Sequence, residues 1–473
     1  MTRSHLFRSL CLFALGSTAL AKPLLPTPAD FPILGELEPL LVKEIYDSKD
    51  RGASLSVIAK NPDYLALLKK HKLTLLGGPA LGQLSPSSVS VWFRTAQPAD
   101  VTIILADGTN FGPAQTTFDS DLTGTISITG LKPDSSYAYQ ILVDGKPASP
   151  TPKSLTFRTA PEADFKGKFT VAFGACSRYV PEREDIWKVV AAQNPIAYLT
   201  LGDNLYIDQP KEQQKQRVHY YRRQFHPAYR SLTATTPIYS IWDDHDFAAN
   251  DDEGGPERFK PSWKVKNFEV YAQNWNNPPY AGGKENPGTF FDFVIGDVHF
   301  IMTDGRYYRH RKSKSMLGDF QKKWLKETLA NSKSKFKVLC SGTLWTEHAD
   351  KGGKDSWQGY AAERDEIFSL IRDQKIGGVF LLSGDRHRHE MFKLGFDVGY
   401  PLYEFETAKV TNIHTHDANP HSLFSYNAGN FFGLLDFDFT SDNPAVTYRC
   451  VTQEGKKPEH LTFSMTLQDL TPN

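Results

Sequence analysis

Five apolar, strand-like runs in the last two-thirds of the chain each stop on a side chain that can bind a metal or carry a proton. Residues 169–175 lead into Cys176 and 196–202 into Asp203; 238–242 lead into Asp243, Asp244, His245 and Asp246. Residues 300–303 lead into Asp304, and 379–384 into Asp385 and His387. Short apolar runs bounded by Gly and polar residues read as buried strands. Open sheets of such strands place their sites just beyond the carboxyl ends. A single polar strand end says little, but a converging set points to metal-dependent hydrolysis.

At 473 residues the chain has room for two or three domains, each with its own core. Its 54 basic and 54 acidic side chains cancel, so no electrostatic case arises for nucleic acid or an anionic membrane. Arg3 and Arg8 precede an apolar stretch from Leu10 to Leu20 that ends in Ala19-Leu20-Ala21, the layout of an export leader over residues 1–21. The stretch is short for a bilayer of ~30 Å, so the expectation is a periplasmic or secreted protein with no transmembrane segment once the leader is cut. An uncleaved anchor is the alternative. Cys11 would leave with the leader, and Cys176, Cys340 and Cys450 would remain. So sparse and odd a set is not a disulfide framework. Cys340 and Cys450 read as buried strand residues.

Between 22 and 76 the apolar residues follow helical spacing, as in Leu37, Leu40, Leu41 and Ile45. From 77 to 161 the pattern changes to alternation, with strand-like runs at 88–94, 101–105 and 137–141. Leu131-Lys132-Pro133-Asp134-Ser135-Ser136-Tyr137 resembles the tyrosine corner of fibronectin type III-like sandwiches, and Trp92 is taken as that module's core aromatic. Beyond 162, strands alternate with helices expected at 185–192, 212–225, 263–275, 317–330 and 361–373, and four more strands follow. Such an order suggests two packed sheets with helices outside.

Chemistry concentrates in four segments. In Gly-Asp-x-x-Tyr at 202–206, Asp203 and Tyr206 can turn toward one space, although a capping Asp and a half-buried Tyr would read the same. At Asp243, Asp244, His245 and Asp246, consecutive acids and an imidazole follow directly on an apolar strand; buried carboxylates need a cation or a network. The acids at 251–253 read as a solvated loop. Asp385 and His387 share one face of an extended strand end, with His389 taken as structural. Cys176 follows a strand and Gly174, and serves there as either a ligand or a nucleophile. Thiolate, phenolate, imidazole and carboxylate together suit a ferric or zinc ion. Asp244, Asp385 and Asn250 form a harder oxygen set suited to Ca2+ or Mg2+.

Taken together, Cys-Ser-Arg at 176–178, Gly-Asp-x-x-Tyr at 202–206, Trp-Asp-Asp-His-Asp at 242–246, Asp-Gly-Arg at 304–306, the segment 355–364 and Ser-Gly-Asp-Arg-His at 383–387 resemble the PhoD-type alkaline phosphatases and phosphodiesterases, a branch of the calcineurin-like metallophosphatases. The resemblance runs from about 77 to 470. It implies an α+β fold: an αββα metallophosphatase sandwich over 162–473, preceded by the fibronectin type III-like module. It also implies Fe(III) held by Cys176, Asp203, Tyr206 and His387, and Ca2+ held by Asp203, Asp244, Asn250 and Asp385, with Zn2+ or Mg2+ as substitutes. Asp243 would then support the ligands rather than bind metal.

The implied activity is hydrolysis of small phosphate mono- or diesters by a metal-activated hydroxide. His245 would be the general acid, and Arg178 and Arg306 the phosphate clamps or structural ion-pair partners. A monomer is expected. Two rivals stand beside this reading. One is a phospholipase D-like phosphodiesterase, for which no basic amphipathic helix speaks. The other is a surface-binding protein with a degenerate core, motivated by the fibronectin-like module.

Overall fold

Strand parity decides which layer each residue joins. In the strands Lys168–Gly174, Ala197–Leu201 and Ile238–Ile241, Val171, Phe173, Leu199, Leu201, Tyr239 and Ile241 point into the main core. Their neighbours Ala172, Tyr198 and Ile238 point the other way, onto Ile186, Trp187 and Val190 of the helix Ile186–Ala192. Both faces are therefore apolar, as parallel strands covered on two sides must be. The computed structural model describes residues 34–472; the leader expected at 1–21 lies outside them.

Two mixed sheets face each other across that core. The first has the order Ile238–Ile241, Ala197–Leu201, Lys168–Gly174, Phe431–Asp438, Ala445–Thr452, Thr462–Thr466, its first three strands parallel. The second runs Phe291–Ile295, Val298–Met302, Phe336–Cys340, Val379–Ser383, Tyr403–Thr407, His389–Lys393, Phe424–Tyr426, and its second to fifth strands are parallel. Leu325 and Leu329 of the helix Gly318–Asn331, and Ile367, Phe368 and Ile371 of Ala361–Asp373, join the main core as well. The layers are helix, sheet, sheet, helix. Carboxyl ends of the parallel strands in both sheets gather at one rim.

Ahead of this unit stand two small antiparallel sheets. One contains Leu75–Gly82, Ser88–Thr95 and Thr123–Thr129; the other is built on Asp100–Leu105 and Ser136–Val143. The Tyr137 hydroxyl accepts the Lys132 backbone N–H at 2.8 Å, which closes the tyrosine corner. Trp92 departs from expectation. Val91 and Phe93 occupy the inward parity, so Trp92 faces out and donates its indole N–H to the Gln273 carbonyl at 3.0 Å. It seats the sandwich on the helix Ser262–Asn274 instead of filling the sandwich core. The helical lead-in packs nearby, with Leu41, Ile45 and Leu55 against Leu76, Val218 and Tyr221. Among the described residues no helix is long and apolar enough to cross a membrane.

Candidate metal centre

Close approach of strand ends builds the floor of the site. A Cβ at Gly384 would lie 2.6 Å from the Ala175 Cβ and 3.1 Å from the Leu201 carbonyl oxygen, so only glycine lets these three ends meet. Immediately beyond them the backbone adopts positive φ at Cys176 (59°), Asp203 (54°), Tyr206 (54°), Asp385 (86°) and His387 (52°). L-residues hold such angles at a cost on the order of 1–3 kcal/mol each, and they cluster where a site dictates the conformation. The turns bring the side chains back over the rim.

On one side of the rim, Cys176, Asp203 and His387 present donor atoms all within 4.8 Å of one another. Cys176 Sγ lies 3.4 Å from Asp203 Oδ2, and the Tyr206 hydroxyl lies 3.0 Å from His387 Nε2. All four side chains are buried. Burial, followed by the nearby Asp203 carboxylate, pushes the Cys176 thiol and the Tyr206 phenol well above their usual ranges. Burial, then His416 and His414, pushes His387 well below its own. These donors are thus held in their neutral forms, and a bound cation reverses that preference for the thiol and the phenol. His387 Nδ1 is buried with no hydrogen-bond partner. This soft, mixed donor set fits a ferric or zinc ion.

His245 stands over this group, its ring stacked on Tyr206 with centroids 4.3 Å apart. Its Nδ1 is 2.7 Å from Asp208 Oδ1. Burial alone would lower its pKa, but Asp244, Asp203 and the Asp208 hydrogen bond outweigh that and hold it well above the ordinary histidine value. An imidazolium so held can give a proton, and its donor atoms also converge with those of Asp203 and Asp244. Asp246 does something different. Its carboxylate accepts the backbone N–H groups of Asn204 and Leu205 at 2.9 and 3.1 Å, tying the two ligand loops together. Asp243 caps the short helix Asp244–Phe247.

The opposite side of the rim differs from expectation at three positions. Asn250 is exposed, and the turn after it brings in Asp251 instead, whose donor atoms converge with those of Asp244 and Asp355. The Asp251 backbone sits at φ 60°, and its N–H bonds Asp244 Oδ2 at 2.6 Å. Arg306 is fully buried between two carboxylates, at 2.9 Å from Asp243 Oδ2 and 2.7 Å from Asp355 Oδ1. Its guanidinium has no face left for a phosphate clamp, so it positions Asp243. Asp304 accepts the Arg306 and Tyr307 N–H groups at 2.8 and 2.9 Å and shapes that turn.

The third difference is a lysine. Lys351 Nζ lies 2.7 Å from Asp385 Oδ1, 2.8 Å from Asp355 Oδ2 and 3.3 Å from Asp251 Oδ1. Of the oxygen set expected to take calcium, Asp385 therefore already holds an ammonium and belongs to none of the convergent donor groups among the described residues, whereas Asp203 and Asp244 converge with His245. Calcium wants six to eight oxygens at about 2.3–2.6 Å; this arrangement does not fit it.

Arg178 is half-buried and forms no ion pair among the described residues, with Tyr206 and Asp208 as its charged or polar neighbours. His389 bonds Thr407 Oγ1 and the Tyr448 hydroxyl, each at 3.0 Å, inside a strand. Residue patterns missed Asp208, Asp251, Lys351, His414 and His416. The His-Thr-His at 414–416 carried a signal, since its rings converge with His387. Lys351, beside Gly352 and Gly353, carried none.

The fold is that of the metallophosphatases. Among solved structures the chain superposes on PhoD (TM-score 0.70, 18% identity, covering 84% of this chain and 91% of that one). It also superposes on the purple acid phosphatase PPD1 of yellow lupin (TM-score 0.62, 14% identity, 83% and 75% covered). A sequence model of the PhoD-like phosphatases matches residues 171–456, and the chain belongs to that family. A domain of unknown function (DUF7800) matches residues 72–161. Alkaline phosphatase D of Bacillus subtilis (strain 168) is 25% identical over 306 residues, 54% of this chain and about half (52%) of that protein's length.

Proposed function

We propose that this chain is an exported, metal-dependent phosphoester hydrolase acting on small phosphate mono- or diesters. The observation that carries the reading is the convergence of Cys176, Asp203, Tyr206 and His387 beneath His245. Those four side chains would hold a ferric ion, with zinc as the alternative occupant. When bound, such an ion supplies Lewis acidity and lowers the pKa of water at the site.

The protein's own groups account for the rest. His245, kept protonated by Asp208 and its acidic neighbours, donates a proton to the departing alkoxide. Arg178 presents a planar guanidinium to phosphate oxygens. Asp243 and Arg306, locked together, fix the helix turn that carries His245. The export reading rests on the leader pattern at 1–21.

A phospholipase-type diesterase differs only in substrate. Side-by-side rates of the full chain on nitrophenyl phosphate, its bis-ester and phosphatidylcholine separate the cases. Turnover of either nitrophenyl ester supports the proposal. Preference for the lipid moves the enzyme to the phospholipase type, and hydrolysis of none favours the degenerate binding protein.

A further inference from the structure

We propose that Lys351 is a built-in cation that takes the place of a second metal, so that this chain works with a single metal site. The calcium expectation rests on the phosphatase reading, but the inference is read out by metal binding and not by turnover.

Charge and the occupancy of the oxygens both point to it. Asp244, Asp251, Asp355 and Asp385 form an acidic wall along one side of the rim, and four buried or half-buried carboxylates cannot stay together without cations. The chain supplies them itself. Lys351 reaches Asp385, Asp355 and Asp251. Arg306 and Arg309 both pair with Asp355, and Lys354 pairs with Asp251 at 2.9 Å. The oxygens of Asp244 accept the backbone amides of His245 and Asp251 at 3.0 and 2.6 Å. A calcium ion would have to expel the ammonium and then share Asp355 with two guanidinium groups.

The contrast with the iron side is one of partners. There Cys176 meets Asp203, and Tyr206 meets His387, with no lysine or arginine in either contact. One side carries the His245 ring over its donors, and the other has a lysine among its carboxylates. Asp385 and His387 leave the same strand end, two residues apart, yet the first ends on an ammonium and the second faces the soft donors. A compact ammonium at this point also gives the site a permanent positive charge that needs no calcium supply.

The test is calcium titration by calorimetry on the full chain, with metal analysis after dialysis against EGTA, for the wild type, Lys351→Ala and Lys351→Gln. The proposal expects the wild type to retain its transition metal, carry no stoichiometric calcium and give no calcium binding isotherm. In Lys351→Ala the vacated carboxylates take up calcium, with affinity raised at least about tenfold by loss of the competing charge. Lys351→Gln, which keeps the side-chain bulk, gains less and guards against a misfolded alanine variant. Stoichiometric calcium in the wild type overturns the proposal. So does a folded Lys351→Ala and Lys351→Gln pair that binds no more calcium than the wild type. Absence of phosphoester turnover would instead count against the enzyme reading and leave these binding results intact.

Discussion

The two sides of the rim are made by one structural rule and end in opposite states. Positive φ occurs on both, at Cys176, Asp203, Tyr206 and His387 on one side and at Asp251 and Asp385 on the other. On the Cys176 side burial favours the neutral thiol, phenol and imidazole, beneath the His245 ring. On the Asp355 side the carboxylates are matched by lysine, arginine or backbone amides. Acid-rich strand ends therefore do not by themselves define a second metal site; what the neighbouring loop contributes decides it.

Four substitutions probe that contrast. His245→Ala should lower kcat by roughly 10²–10⁴, the usual worth of a positioned general acid, while metal analysis shows the metal retained. Loss of metal would make His245 a ligand. Arg306→Ala leaves Asp243 and Asp355 buried without their shared partner, and chemical denaturation should show a loss of about 3–5 kcal/mol. A variant with full stability but weakened substrate binding would restore the clamp role.

Asp208→Asn tests the dyad. Asp208 raises the His245 pKa, so the acid form persists into alkaline pH; removing that carboxylate lowers the pKa. The alkaline limb of the kcat profile should then move down by about one unit. An unchanged limb separates Asp208 from the proton donor. Smallest of all, Tyr137→Phe opens the tyrosine corner far from the rim. It should cost about 1 kcal/mol in thermal stability and leave turnover unchanged, marking the sandwich as a scaffold.

The strands were readable because parallel strands covered on both faces appear as unbroken apolar runs, and the residue after each run is automatically at the rim. Cys176 and Asp203 were found that way; Tyr206 and His387 came from their spacing to Asp203 and Asp385. What escaped depended on loop geometry. A single residue's turn exposes Asn250 and delivers Asp251, and composition is blind to such a shift. Lys351 lies in a glycine-flanked loop whose polar residues read as solvated surface, although its ammonium is held by three carboxylates. Trp92 was misplaced for a simpler reason: its parity faces a second domain whose position the local pattern does not encode.

If thiolate, phenolate, imidazole and carboxylate around one transition metal form the catalytic centre, turnover must follow that metal. Nitrophenyl phosphate turnover by the purified full chain, measured as isolated, after iron removal and after iron is restored, tests it most directly. A coloured, iron-bearing protein whose activity disappears with the metal and returns with it is the expected result. A colourless, metal-free chain that hydrolyses the ester at an undiminished rate would contradict it.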